Sequence, residues 1–189
     1  MPGLSIKTQP TSEPISRAQA KAHLRVDFDD DDALIDILIS SARSKAESFL
    51  KASILPTVYL LKLNSFPSQI DLPIGPVATT TGSSVTYVND AGTDVTLPDT
   101  LYQFSIGEYA CIRPSYGNTW PSTRPQLDAV TVEFTAGWSA VASVPPAIIA
   151  AIYLIIGDLY ENRESTARGD TVASMPLGAE NLLTPFIRH

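Results

Sequence analysis

Apolar residues are densest late in the chain, in the segment Val144–Glu164 (VPPAIIAAIYLIIGDLYENRE). The two prolines at its start suit the first turn of a helix, where a backbone N–H would lack a partner in any case. All ten residues from Ala147 to Ile156 are apolar, which is about half the length needed to cross a bilayer. A helix that is apolar on every side has to be covered by other protein. The pattern therefore predicts a main helix over residues 145–164, covered by the rest of the chain or by further copies of it.

A second helical pattern lies near the amino end, over residues 14–56. Ser16 and Gln19 have the spacing of a capping box and predict a short helix that ends near Leu24. After a run of aspartates, which suits the amino end of a helix, apolar residues recur on one helical stripe. The stripe consists of Leu34, Ile35, Leu38, Ile39, Ala42, Ala46, Phe49 and Leu50. Ile37 lies off this stripe and is predicted to contact another subunit, although a lone exposed isoleucine would give the same pattern.

Residues 57–142, between the two helical parts, have a β pattern. Short runs rich in β-branched or aromatic residues alternate with turn signals such as the sequence NDAG. The predicted strands are Thr57–Leu63, Ser84–Val88, Thr93–Leu97, Tyr102–Ile106, Tyr109–Arg113 and Ala129–Thr135. The sequence therefore predicts an α+β fold, in which an antiparallel β insertion interrupts a helical frame within a single domain, residues 1–189.

The two ends of the chain differ in character. Residues 1–13 are polar and contain prolines, so we expect a loose arm. Ser165–Ser174 has the composition of a flexible linker, whereas the residues after it are too apolar to remain in water without cost. We expect the segment 165–189 to be a linker followed by a tail that docks on another protein, with folding back onto its own subunit as the alternative. The expected tail contacts are Leu182, Leu183, Phe186, Ile187 and Arg188.

Composition limits the possible functions. The chain has 13 Lys and Arg residues against 20 Asp and Glu residues, a net charge of −7, and no run of basic residues. This balance argues against a protein that grips nucleic acid by its phosphates. The single cysteine, Cys111, excludes an internal disulfide and fits a reducing cytoplasm. The start of the chain lacks the pattern of a signal peptide, so we expect a soluble intracellular protein that does not enter a membrane.

Candidate catalytic and metal-binding motifs are weak. There are two histidines, His23 and His189, and no nucleophile, zinc, phosphate-loop or dinucleotide motif. The aspartate run matches the first three ligand positions of a calcium loop, but Asp32 stands at the glycine position and Leu38 at the terminal glutamate position. We therefore predict no catalytic residue, no cofactor and no metal. A hydrolase that uses only carboxylates stays open as a less favoured alternative.

Several motifs in this order resemble one known family. The amino-terminal segments are Ser16–Leu24 and DDDDALIDILISSARSKAESFL. They are followed by FPSQIDLP, GPV, the step V-x-Y-x-x-x-x-G at Val85–Gly92, the pair Trp120-Pro121, AGW, VPPAIIAAI, LYENRE and MPLGAENLLTPFIR. This order resembles the head–tail connector (adaptor) family of tailed phages over nearly the whole chain. Short members of that family are mainly helical, and the β insertion is a departure from them.

The resemblance implies a structural protein of the virion neck, assembled in the host cytoplasm. Members of the family form a ring beneath the portal, here expected to be a dodecamer that matches it, and extend the channel through which DNA passes without sequence-specific binding. The expected partners are further copies of the chain, the portal protein and the next neck or tail protein. An acidic, lysine-poor protein suits such a channel because DNA does not adhere to it. The alternatives are another neck or tail protein, such as a stopper or terminator, and the small enzyme considered above.

The polar end of the main helix is a further candidate contact. Glu161, Arg163 and Glu164 form a dense charged group after the apolar run. We expect this group to pair with a neighbouring subunit or with the portal. An ordinary solvated helix end is the alternative, since exposed ion pairs contribute little.

Overall fold

The computed structural model describes residues 3–162 and 175–188. The chain forms two compact units. The β unit combines Met1–Pro10 with Leu55–Ser139, and the helical unit combines Thr11–Ile54 with Ala140–His189. The predicted α+β class is confirmed, and the predicted single domain stays a prediction because each unit is compact by itself.

Antiparallel strands make up the β unit. In chain order they are β1 (Gly3–Thr8), β2 (Thr57–Leu63), β3 (Ile70–Asp71), β4 (Ser84–Val88), β5 (Asp94–Thr96), β6 (Tyr102–Ser105), β7 (Cys111–Pro114) and β8 (Val130–Ala136). One sheet has the order β1-β2-β8-β4-β5, and a smaller sheet has the order β3-β7-β6. Alternate residues of β2 and β8 are buried, as expected for strands with one face on a core. Both sheets contribute to that core, which contains Leu61 and Phe134 from the larger sheet and Ile112 from the smaller one.

All six predicted strands are present with small differences at their ends, but two further strands were not predicted. The expected loose arm contains β1, which pairs along β2 with Leu4 opposite Leu61 and Ile6 opposite Tyr59. Strand β1 contains two apolar side chains, Leu4 and Ile6, within an arm that is otherwise polar, and all of its residues are exposed, so the arm does not resemble a core strand. The two-residue β3 is too short to show a pattern at all.

The helical unit contains four helices within the described residues. They are α1 (Arg17–Leu24), α2 (Asp32–Leu50), α3 (Pro146–Glu161) and α4 (Leu177–Leu183). Ser16 caps α1 in the predicted capping box with Gln19. Helix α3 packs against both α2 and α4. The residues that α2 and α3 bury are Ile35, Ile39, Ala42, Ala46, Leu50, Ile148, Ala151, Ile152, Ile155 and Ile156. No helix in the described ranges has the length and apolar character needed to span a membrane.

Candidate assembly surfaces

Helix α3 is covered on most sides, but one face remains open to solvent. Ala150 and Leu154 lie one turn apart on this face, and both are exposed. Leu154 is 40% exposed, and Leu177, at the start of α4, is 72% exposed. The Leu154 side chain reaches the start of α4, because its Cδ1 lies 3.4 Å from the position of a Cβ on Gly178. Ala150, Leu154 and Leu177 are here called the α3–α4 patch, an apolar surface that the described residues do not cover.

Helix α2 presents a second surface of a different shape. Ile37 is 61% exposed, as its position off the apolar stripe predicts. Ala33, Ser41, Ser44 and Ser48, which lie on the same side at helical spacing, are also exposed. These small side chains would allow another backbone to approach closely on either side of the larger Ile37. The surface formed by these five residues is here called the α2 outer face.

The acidic run before α2 is held by basic residues of α1. Arg17 donates to the carboxylates of Asp32 and Asp36, and Arg17 Nε lies 2.8 Å from Asp36 Oδ1. Lys21 Nζ lies 2.6 Å from Asp29 Oδ1 and 2.7 Å from Asp32 Oδ1. The hydrogen bond from Lys21 lowers the pKa of Asp32, and the one from Arg17 lowers the pKa of Asp36. These charges therefore fasten α1 to the start of α2. Among the described residues no group of three His, Cys, Asp or Glu side chains could hold a metal ion.

A buried ion-pair network fixes the other end of α2. Arg43 Nε donates to Glu13 Oε2 at 2.7 Å, and Arg43 Nη1 donates to Glu47 Oε2 at 2.8 Å. The backbone N–H of Ile54 donates to the second oxygen of Glu47 at 2.8 Å. Burial raises the pKa of Glu47, although the Ile54 hydrogen bond and the Arg43 charge act in the opposite direction. The network ties three stretches of the helical unit together and has a structural role.

The tail folds back onto its own unit, which was the alternative left open by the sequence. Met175, Ala179 and Leu183 are buried, and α4 packs against α3. The backbone N–H of Arg188 donates to the carbonyl of Leu50 at 3.1 Å, and the Arg188 side chain is buried. Leu183 and Arg188 are therefore buried in this structure, and the expectation that the tail contacts another protein stays a prediction. The other expected tail contacts, Leu182, Phe186 and Ile187, are only half-buried.

The charged end of α3 is only partly described. Glu161 is the last residue of the helix and is exposed. Arg163 and Glu164 lie outside the described residues. The expectation that this group pairs with another subunit or the portal stays a prediction.

The sequence identified Ile37 but missed the α3–α4 patch. An unbroken apolar run gives no sign of which side of a helix stays uncovered, so Leu154 could not be told from its buried neighbours. Leu177 was included in the apolar tail, although it points away from the residues that α4 buries. The exposed side follows only from the packing of α3 against its neighbours.

Part of the chain matches a known protein family. Residues 17–93 match the family described as "Phage gp6-like head-tail connector protein". The resemblance to head–tail connectors is confirmed over these residues. The matched part of the chain contains α1, α2 and the strands β2 to β4. No curated protein shows significant similarity to the chain.

The chain also shares its fold with chains of a gene transfer agent (GTA) particle. One, from the neck of an empty GTA particle computed with C6 symmetry, is 23% identical with a TM-score of 0.79, over 98% of this chain and 95% of the other. Another, from the virion of a native GTA particle, is 23% identical with a TM-score of 0.76, over 97% and 94%. A third, from the neck of a native GTA particle computed with C12 symmetry, is 23% identical with a TM-score of 0.75, over 98% and 94%. The shared fold thus includes the β insertion and the tail, which the family match does not reach.

Proposed function

We propose that the chain is a structural protein in the neck of a phage or phage-like particle. Copies form a ring beneath the portal, join the DNA-filled head to the tail and extend the DNA channel. The observation that carries this proposal is the match of residues 17–93 to head–tail connectors. The fold shared with chains of GTA particles supports it along nearly the whole length.

A ring of twelve copies is the form we favour. Two of the similar chains come from necks computed with C6 and C12 symmetry, and a twelve-fold ring is compatible with both because it contains the six-fold rotation. A closed ring needs two different surfaces on each copy, one for each neighbour. The α2 outer face and the α3–α4 patch are two such surfaces on one unit. We propose that Ile37 and its small neighbours on one copy pack against Leu154 and Leu177 of the next.

Contacts with the portal involve the residues left accessible at the end of the helical unit. We propose that Leu182, Phe186 and Ile187 contact the portal or a neighbouring copy through their exposed parts. We assign the same role to the charged group Glu161, Arg163 and Glu164. The acidic charge of the chain supports a channel role, because a surface without basic runs does not retain DNA by its phosphates.

Deleting the gene from the producing strain tests the role in assembly. The expected result is DNA-filled heads without tails in electron micrographs, and rescue by the wild-type gene. Normal tailed particles from the deletion strain would contradict the proposal.

The ring contact is tested by complementation with Ile37→Asp. This change places a charge in the proposed contact and should abolish rescue while the purified protein melts normally, since Ile37 is exposed. Ile106→Asp is the matched control, because Ile106 is similarly exposed but lies in the β unit, and it should rescue.

A further inference from the structure

Strand β1 forms an open edge of the larger sheet. It pairs with β2 on one side, and all six residues Gly3–Thr8 are exposed. Leu4 and Ile6 are opposite Leu61 and Tyr59, whose side chains point into the core of the β unit. Leu4 and Ile6 therefore lie on the apolar face of the sheet, yet they are 39% and 49% exposed. The apolar face continues to this edge and is left uncovered there.

A cavity lies beside this edge. Its volume is about 390 Å³. Its lining is mainly apolar and includes Leu4 from β1, Leu61 and Leu63 from β2, and Ile70 from β3. Strand β3, which contributes Ile70 to this lining, has only two residues.

The β1 edge is only partly protected against pairing with another strand. Proteins protect such edges with prolines, bulges or outward-pointing lysines. The charged residue of β1 is Lys7, and its Nζ lies 2.7 Å from Glu133 Oε1 on β8. The Lys7 side chain thus crosses the outer face of its own sheet and does not project from the edge. A register shift between Ile6 and Thr8 leaves the stretch from Gly3 to Ile6 regular.

The opposite edge of the same sheet is β5. Residues 89–99, which include this strand, contain three aspartates and no Lys or Arg. Asp94 and Thr96 of β5 are exposed. An apolar row crosses the sheet between the two edges, through Leu4, Leu61, Val132, Val85 and Leu97. A second copy placed edge to edge would continue this row without interruption.

We propose that β1 of one copy pairs with β5 of the next copy, so that the larger sheet continues from copy to copy. This inference rests on the proposed ring and names a contact of its β units. Neighbouring strands of the sheet are all antiparallel, so β1 and β5, its first and fifth strands, run in the same direction. If a second copy continues the sheet with its apolar face on the same side, its β1 therefore lies parallel to the β5 that it joins. Leu4 and Ile6 are then covered by the neighbouring copy.

Cysteine cross-linking tests this pairing in the full chain. Cys111→Ser provides the background, and Ser5→Cys and Thr96→Cys place thiols on β1 and β5, where both side chains are exposed on the outer face. The protein is assembled on portal-bearing heads that lack it and treated with a short bismaleimide, which tolerates a small error in register. The double variant should give a ladder of cross-linked species beyond the dimer, and each single variant should give none.

Other results would overturn the pairing. Dimers from Ser5→Cys alone would show β1 paired with β1, and cross-links to a different protein would show another occupant of the edge. Rings that form without any cross-linked ladder would exclude the β1–β5 contact but leave the proposed function intact. Failure of the unmodified protein to form rings on the heads would instead contradict the proposed function.

A substitution at the edge gives a second test. Ile6→Asp should lower the yield of assembled rings by about ten-fold or more, because a charge would be buried in the contact. Leu127→Asp is the control, since Leu127 is exposed in a loop of the same unit, and it should assemble normally. Equal ring yields from the two variants, both melting like the wild type, would contradict the proposal.

Discussion

Gly137 lies directly against the backbone of Leu55, where the chain enters and leaves the β unit. A Cβ at Gly137 would collide with the Leu55 carbonyl group and come within 2.9 Å of the backbone nitrogen of Pro56. The N–H of Gly137 donates to the carbonyl of Pro76 at 2.7 Å, and the residue forms a bridge with Val77. The AGW motif therefore contains a glycine because two backbone segments meet there without room for a side chain.

Gly137→Ala should destabilise the β unit by about 2–4 kcal/mol, because it combines a steric clash with an unfavourable backbone conformation. Gly107→Ala is the matched control. Gly107 has a φ of +121°, close to the +122° of Gly137, but has nothing within 4 Å of its Cβ position. Urea unfolding of both variants measures the difference, which isolates the clash with Leu55. Equal losses of stability would show that backbone conformation alone explains the glycine.

Ile152→Asp should prevent folding of the helical unit. Ile152 is fully buried on α3, so the change would place an unpaired charge in the core at a cost of several kcal/mol. Ala150→Asp, on the exposed side of the same helix, should give a folded protein. Circular dichroism and thermal melting distinguish the two variants. A normally melting Ile152→Asp protein would contradict the packing of α3.

Truncation after Ser174 should lower the melting temperature. The tail buries Met175, Ala179 and Leu183 in the helical unit, and their loss should cost about 2–4 kcal/mol after the ordering entropy is deducted. The sequence alone favoured a tail needed for attachment and not for folding. Leu177→Ala, which changes an exposed residue of the same helix, is the control and should melt normally. A truncated chain with unchanged melting would restore the earlier expectation.

The helical unit should lose stability in acid. The pKa values of Asp32 and Asp36 are lowered from the usual 3.8 by Lys21 and Arg17 respectively. The folded state therefore binds these protons more weakly than the unfolded state, so the stabilisation is complete above about pH 4 and is lost as the pH falls through the lowered values. Asp36→Asn should lower the melting temperature at pH 7, and its difference from the wild type should shrink below pH 4.

Comparison with Asp36→Asn is needed because protonation of Glu47 changes the stability of the folded state in the opposite direction. Because the pKa of Glu47 is raised, its contribution to the stability of the folded protein is lost as the pH rises through that value. The pH dependence of wild-type stability therefore combines the effects of Glu47 and of the two aspartates. Asp30→Asn, a change at an exposed position of the same acidic run, should have little effect. A difference between Asp36→Asn and wild type that does not change with pH would contradict the assignment to ion pairing.

Much of the fold could be predicted from the sequence because its signals are local. The capping box at Ser16, the apolar stripe of α2 and the alternation along β2 and β8 are each set by neighbouring residues. Strand β1 could not be found this way, since Gly3–Thr8 becomes a strand only by pairing with β2, far along the chain. The position of the tail was equally hidden, because an apolar segment does not specify which surface buries it. For the same reason the exposure of Ile37 could be predicted, whereas that of Leu154 and Leu177 could not.

Cryo-electron microscopy of reconstituted heads tests the central claim most directly. DNA-filled, portal-bearing heads that lack this protein would be incubated with the full chain, and the region beneath the portal would be reconstructed with and without the Ile37→Asp change. We expect a twelve-fold ring attached to the portal, in which the α2 outer face of each copy meets the α3–α4 patch of the next, and no ring with the variant. Heads that remain bare while the folded wild-type chain stays in solution as a monomer would contradict it.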